Sequence, residues 1–321
     1  MLAPRSPVGL DRLALLPALV ERLRSSRVGL VAHPASVNAR LRHAVEVLRG
    51  LGIEPRVLFG PEHGYGGEAQ DMVGVESARD PHSGAPIVSL YGDSLADLSP
   101  KPEHLAELDV LVIDLQDVGS RYYTFVWTAL LAVRAAAKVG VHSIVLDRPN
   151  PLGSRLADVA GRVQRPGYLS FVGLEPVPIR HGLTLGEVVA FFAERDGLEL
   201  GSAGALSVVR AEPDHADPLA DLAAPFVPPS PNMPSLLTAL VYPGGCLLEG
   251  TNLSEGRGHT RPFEIVGAPF VDGRALAEGL LRAELPGVIA RPLTFQPTFH
   301  KHAGRVCGGV QLHPIDLAAF R

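Results

Sequence analysis

Two cysteines in 321 residues are too few for a disulfide scaffold or a four-thiolate zinc site. Cys246 and Cys307 are expected to be buried small hydrophobes. Basic clusters are also missing. With 29 Lys and Arg against 34 Asp and Glu, the formal charge is −5, which speaks against a broad nucleic-acid surface. No apolar run reaches the ~18 residues that span a bilayer. The opening Met1-Leu-Ala-Pro-Arg-Ser6 lacks the basic-then-apolar order of a signal peptide. The chain as written therefore reads as cytoplasmic, with export after signal removal as the alternative. Hydrophobic residues at 46% and charged residues at 20% exclude long disorder.

What is present is turn chemistry and alternation. There are 34 Gly and 29 Pro, so many turns and stiff, ordered loops are expected. At about one domain per 150 residues, the length suggests two domains. Residues 10–24 have the charge and Leu pattern of an amphipathic helix with a proline near its middle. Strands are predicted at Arg27–His33, Pro55–Gly60, Pro86–Gly92, Asp109–Leu115, His142–Asp147 and Leu206–Arg210, with helices over 39–51, 122–139 and 184–195. Apolar strands alternating with helices imply a parallel sheet covered on both faces. The fold class is thus α/β, a Rossmann-like domain over 1–225. Pro225, Pro228, Pro229, Pro231 and Pro234 fall within ten residues and cannot form regular helix or central strand. They read as a stiff connection into a smaller α+β domain, 226–321, with strands at Ile289–Phe295 and Gly309–His313. Pro292 makes the first of these an edge strand at best.

A parallel sheet invites a dinucleotide, but the first turn, His33-Pro-Ala-Ser-Val-Asn38, lacks the glycines that admit a pyrophosphate. A Gly-Lys-Ser/Thr phosphate loop and a Gly-x-Ser-x-Gly elbow are missing too. The twelve histidines are scattered, so neither a metal nor a cofactor is expected.

Ligands of open parallel sheets bind beyond the carboxyl ends of the strands, and three strand ends here are unusually polar. The second strand runs into Glu62, His63 and, further on, Glu68, between glycines and a proline. The fourth runs into Asp114, Gln116, Asp117, Arg121 and Tyr123, the fifth into Asp147, Arg148 and Asn150. Glu62 sits in a loop too tight for a decorative carboxylate. Asp117 reads equally well as a cap of the next helix, and Arg148 as half of a structural ion pair with Asp147. In the second domain, Asn232 lies in a Pro-rich run. Glu249, Asn252, Glu255 and Arg257 share a loop spaced by Gly250, Gly256 and Gly258. That loop reads as a sugar-binding loop or as a solvated hairpin tip. A cleft lined from both domains is the expected place for a small ligand.

Six ordered motifs then carry a resemblance: FGPEHG (59–64), DVGSRYYT (117–124), LDRPNP (146–151), VPPSPNMP (227–234), LLEGTNLSEGRG (247–258) and KHAGRVCGGVQLH (301–313). Together they resemble the bacterial exo-β-N-acetylmuramidases, a glycoside hydrolase family long catalogued as a domain of unknown function. The resemblance implies exo-hydrolysis of non-reducing-end N-acetylmuramic acid from peptidoglycan fragments, in cell-wall recycling. It also implies a Rossmann-like domain with a smaller C-terminal one, and a catalytic glutamate at Glu62. The family continues well past Gly308-Gly-Val-Gln311, so either C-terminal elements are missing from this sequence or this member is short.

Glycoside cleavage needs a proton donor and support for an oxocarbenium-like centre. Glu62 is the expected acid. Glu255 is the candidate base or nucleophile, with Asp117 its rival. In a substrate-assisted reaction the second carboxylate would only orient the 2-acetamido group. Candidate binders are His63, Gln116, Tyr123, Asn232 and Asn252. For the lactyl carboxylate of muramic acid the first candidate is Arg257, then Arg148 and Arg121. Two other classes stay open: a muropeptide-binding protein without catalysis, and a transferase using a nucleotide-sugar.

Overall fold

Val28–Ala32 (β1) and Val110–Asp114 (β5) are buried at every position. Such continuous apolar runs suit strands covered on both faces, and these two lie side by side in parallel at the centre of the larger sheet. The computed structural model describes residues 7–67, 78–81, 83–92, 94–211 and 225–320. The first six residues, Glu68 and most of the stretch leading to the proline run lie outside these. The chain divides into two compact units, Met1–Pro231 and Asn232–Arg321.

The first unit adds Pro55–Gly60 (β2), Ala78–Arg79 (β3), Pro86–Ser89 (β4), His142–Leu146 (β6) and Leu206–Val209 (β7). The sheet order is β3-β4-β2-β1-β5-β6-β7, all parallel except β3, which runs antiparallel to β4 at the edge. The six parallel strands form the expected Rossmann-like α/β sheet. Strand order reverses between β1 and β5, and a crevice for ligands opens beyond the carboxyl ends at such a point.

Helices flank the sheet, with starts set by local chemistry. The amphipathic segment at 10–24 is two helices, Gly9–Leu13 (α1) and Pro17–Arg24 (α2), because Pro17 occupies a first-turn position and cannot continue α1. The helix expected from residue 39 begins only at Ala44 (α3, Ala44–Gly50). Asn38 Oδ1 accepts from the backbone of Arg40 and Arg42, both at 3.0 Å, and holds a turn there instead. The short Pro102–Leu105 (α4) precedes β5. Phe125–Lys138 (α5) buries Phe125, Trp127, Leu130 and Val133, and its N-cap is Thr124. Leu185–Arg195 (α6) starts at a capping box, in which Glu187 N–H donates to Thr184 Oγ1 and Thr184 N–H to the Glu187 carboxylate.

In the second unit, Leu236–Gly245 (α7) and Gly273–Arg282 (α8) accompany an antiparallel sheet ordered β8-β10-β9: Ile265–Ala268 (β8), Val288–Phe295 (β9) and Cys307–Pro314 (β10). Pro292 lies in β9, an edge strand, where its missing N–H removes no inner ladder bond. Cys307 is buried, but Cys246 is only partly so, a correction to its expected place. It terminates α7, and burial still pushes its thiol up to about 12. Among the described residues, no helix is long and apolar enough to cross a membrane.

Candidate active site

The turn after β2 is shaped by its glycines. A Cβ on Gly60 would stand 2.3 Å from the Tyr65 nitrogen, so only glycine lets residues 64 and 65 fold back so closely. Gly64 N–H closes the turn on Pro61 O at 2.9 Å. His63 is buried at φ +73°, a left-handed conformation rarely held by a non-glycine residue. Glu62, half-buried, is thereby aimed at the start of α5, and its Oε2 accepts from Thr124 Oγ1 at 2.7 Å.

The β5 exit supplies a second carboxylate. Asp117 does not cap α5, as Thr124 has that place. Its Oδ2 instead accepts from Gly119 N–H at 2.7 Å and pairs with His181 Nε2 at 3.2 Å. Its Oδ1 is buried and has no hydrogen-bond partner among the described residues. Burial raises the pKa of the Tyr123 hydroxyl well above its ordinary value, with Ser230 lowering it and the nearby charges of Asp117 and Glu62 raising it further. Tyr123 thus shares one electrostatic neighbourhood with both carboxylates.

Several expected binders are committed within the chain. Gln116 Nε2 donates to Asp117 O and Pro149 O, and its backbone N–H donates to His33 Nε2. His33 Nδ1 therefore carries the proton and donates to Pro229 O at 3.2 Å. Burial, then the charge of Arg148, lowers the His33 pKa to about 3. Arg148 does not pair with Asp147. It grips Asp114 at 2.6 and 2.8 Å and donates to Val37 O, with both side chains almost wholly buried. Asp147 instead accepts from Thr184 Oγ1, Gly186 N–H and Arg148 N–H, and burial lifts its pKa to about 6. Arg121 donates from Nη1 to the carbonyls of Arg162 and Val177, both at 2.7 Å. Both reserve candidates for a substrate carboxylate are thus engaged within the chain, Arg148 across the β1, β5 and β6 exits and Arg121 on the loop carbonyls of Arg162 and Val177.

The sequence reading missed Thr124 and the segment 177–184. That segment docks on the β5 exit through Arg121 N–H to Ile179 O and through His181, and on the β6 exit through Asn150 to Leu183 O and Thr184 to Asp147. Its one local signal is the capping box, Thr184 to Glu187, placed just after His181.

In the second unit the Gly-spaced loop is built around an ammonium. Lys301 Nζ donates to the carbonyls of Leu248, Glu249, Thr251 and Leu253 at 2.8–3.2 Å and lies 2.9 Å from Glu255 Oε2. Glu255, 1% exposed, also has Arg257 Nε at 3.6 Å. The carboxylate expected as base or nucleophile is therefore held between two cations. Arg257 donates to Glu249 at 2.7 Å and lies over the Phe263 ring. Asn252 is exposed, and its carbonyl bonds His302 Nε2, while Asn232 is buried. The loop is no solvated hairpin tip, because Ser254 and Gly267 exchange backbone bonds that fasten it to β8.

A Rossmann-ordered sheet with a glutamate-bearing turn beyond its strand ends defines an α/β protein with a candidate small-molecule site. Two family descriptions match in order: "Exo-beta-N-acetylmuramidase NamZ, N-terminal" over residues 28–237 and "Exo-beta-N-acetylmuramidase NamZ, C-terminal" over 240–321. The chain belongs to the exo-β-N-acetylmuramidase NamZ family. It is 43% identical over 319 residues to the peptidoglycan β-N-acetylmuramidase NamZ of Bacillus subtilis (strain 168), covering 99% of this chain and 74% of that one. Two crystal structures of DUF1343 family proteins from Bacteroides fragilis NCTC 9343 share the fold. One has a TM-score of 0.85 at 33% identity, covering 99% of this chain and 80% of that chain. The other has 0.74 at 27%, covering 97% and 78%.

Proposed function

We propose that this chain is an exo-acting glycosidase that releases non-reducing-end N-acetylmuramic acid from peptidoglycan fragments. Family membership and the 43% identity to the Bacillus subtilis peptidoglycan β-N-acetylmuramidase support the activity. Glu62 is the proton donor to the leaving oxygen. The observation that carries this role is its turn: Gly60, the left-handed His63 and Gly64 fix the backbone, and Thr124 orients the carboxyl group. Asp117 is the second carboxylate, favoured over Glu255 because one of its oxygens is buried and unengaged while Glu255 is held by two cations. Arg257 is the partner of the lactyl carboxylate. Glu249, which it holds, is 38% exposed and open to exchange for a ligand carboxylate, whereas the Asp114 held by Arg148 is fully buried.

The test is product analysis with a muramic acid–glucosamine disaccharide. The wild type is expected to release free N-acetylmuramic acid. Glu62→Gln keeps shape but carries no acid proton, so turnover should fall by about 10²–10⁴ with an unchanged circular dichroism spectrum. A nitrophenyl muramide, whose leaving group needs less protonation, should lose less. Near-native turnover of the disaccharide by Glu62→Gln would remove the acid role, and intact disaccharide with the wild type would remove the activity.

A further inference from the structure

Asp117 and His181 lie 64 positions apart and meet because the segment 177–184 docks on the β5 exit. The tautomer of His181 is fixed. Leu183 N–H donates to its Nδ1 at 3.3 Å, so the proton resides on Nε2 and points at Asp117 Oδ2 at 3.2 Å. Gly119 N–H donates to the same oxygen at 2.7 Å. Two donors therefore fix Oδ2, and the carboxylate plane with it. Oδ1 is left buried without a partner among the described residues, in a residue only 4% exposed. A buried carboxylate oxygen without a donor is costly to maintain, and it is satisfied when a ligand brings an N–H or O–H.

We propose that His181 is a positioning residue for this reaction: by holding Asp117 Oδ2 it presents Oδ1 to accept the N–H of the substrate's 2-acetamido group. The chemistry of the sugar selects that donor. The acetamide is carried on C2, next to the anomeric carbon where Glu62 acts, and both carboxylates act on the Tyr123 hydroxyl. The contact is a hydrogen bond that turns the acetamide into one orientation, and no proton changes hands in it. The inference rests on the reading of Asp117 as the second carboxylate.

The two side-chain amides separate the positions of the imidazole nitrogens. In His181→Asn the amide occupies the place of Nδ1, so it can still take the Leu183 N–H but gives Asp117 no donor. In His181→Gln the amide reaches the place of Nε2 and restores that donor. Full-chain protein is assayed on a nitrophenyl muramide and on its 2-deoxy analogue, which lacks the acetamide. We expect His181→Asn to lose about 10–100-fold in kcat on the acetamido substrate, with KM moved far less. On the 2-deoxy analogue the same variant should stay within about threefold of wild type, and His181→Gln should recover most of the loss. Asp117→Asn should lose at least as much as His181→Asn on the acetamido substrate.

An equal loss on both substrates would mean that His181 is merely structural and would overturn the proposal. If Asp117→Asn keeps full turnover, the reading of Asp117 itself fails. If Asp117→Asn loses turnover and His181→Asn does not, only the positioning role fails. Should His181→Asn not fold, a His181→Gln variant that folds but is as impaired as Asp117→Asn would also overturn it.

Discussion

Thr124 ends the loop before α5 and donates from Oγ1 to Glu62 Oε2 at 2.7 Å, joining the β5 exit to the turn after β2. One hydroxyl thus fixes which way the proposed acid points. Thr124→Val keeps the volume and removes the donor. The expected outcome is a fall in kcat of about one decade, the scale of a hydrogen bond to a charged group. That is smaller than the loss in Glu62→Gln, and KM should be nearly unchanged. Steady-state kinetics on the disaccharide check it, and an unaltered kcat would separate Thr124 from the acid's alignment.

The lactyl ether distinguishes muramic acid from glucosamine. If Arg257 exchanges Glu249 for that carboxylate, Arg257→Leu should reduce kcat/KM for muramides by roughly one to two decades and much less for glucosaminides. Competition between the two nitrophenyl sugars reads this ratio directly. Equal losses on both would assign Arg257 to loop structure alone.

Arg148 and Asp114 form a pair almost without exposure. Removing one partner leaves an uncompensated buried charge, which typically costs about 3–5 kcal/mol. Arg148→Met should therefore lower the urea midpoint strongly. Removing both charges, in Arg148→Met with Asp114→Leu, should recover much of the loss. If the double variant is as weak as the single one, the damage comes from lost packing and not from the stranded carboxylate.

Two buried groups impose opposite pH dependences. His33 has a folded pKa of about 3 against an ordinary 6.5. Its contribution is complete above about 6.5 and is lost as the pH falls toward 3, because only the unfolded chain takes up the proton in that window. Asp147 has a folded pKa of about 6 against an ordinary 3.8. Its contribution is complete below about 3.8 and is lost as the pH rises through 6. Melting temperatures at pH 4 and pH 7.5 should therefore show Asp147→Asn gaining on the wild type as pH rises. His33→Gln should lose less than the wild type on acidification. Curves parallel to the wild type in both variants would contradict the burial argument.

The sequence by itself determined the six parallel strands and the turn that carries Glu62, but not the short Ala78–Arg79 or Ile265–Ala268. Runs such as Val110–Ile113 and Ile144–Leu146 are continuously apolar, a property of neighbouring residues that needs no partner to be read. The turn at 60–64 was legible for a similar reason, since Gly60, Pro61 and Gly64 restrict the backbone locally around Glu62. The late start of α3 escaped because Asn38 competes for backbone donors through a side-chain bond that helical periodicity does not register. What only the tertiary structure decided was which charged group meets which. Arg148 chose Asp114 and not the adjacent Asp147, His181 came to Asp117, and Lys301 came to Glu255. These partners are far apart in the chain, and strand order and loop docking bring them together. A residue type gives the chemistry it is capable of, but whether a carboxylate is neutralised or left with a free oxygen depends on what the fold places within about 3 Å of it.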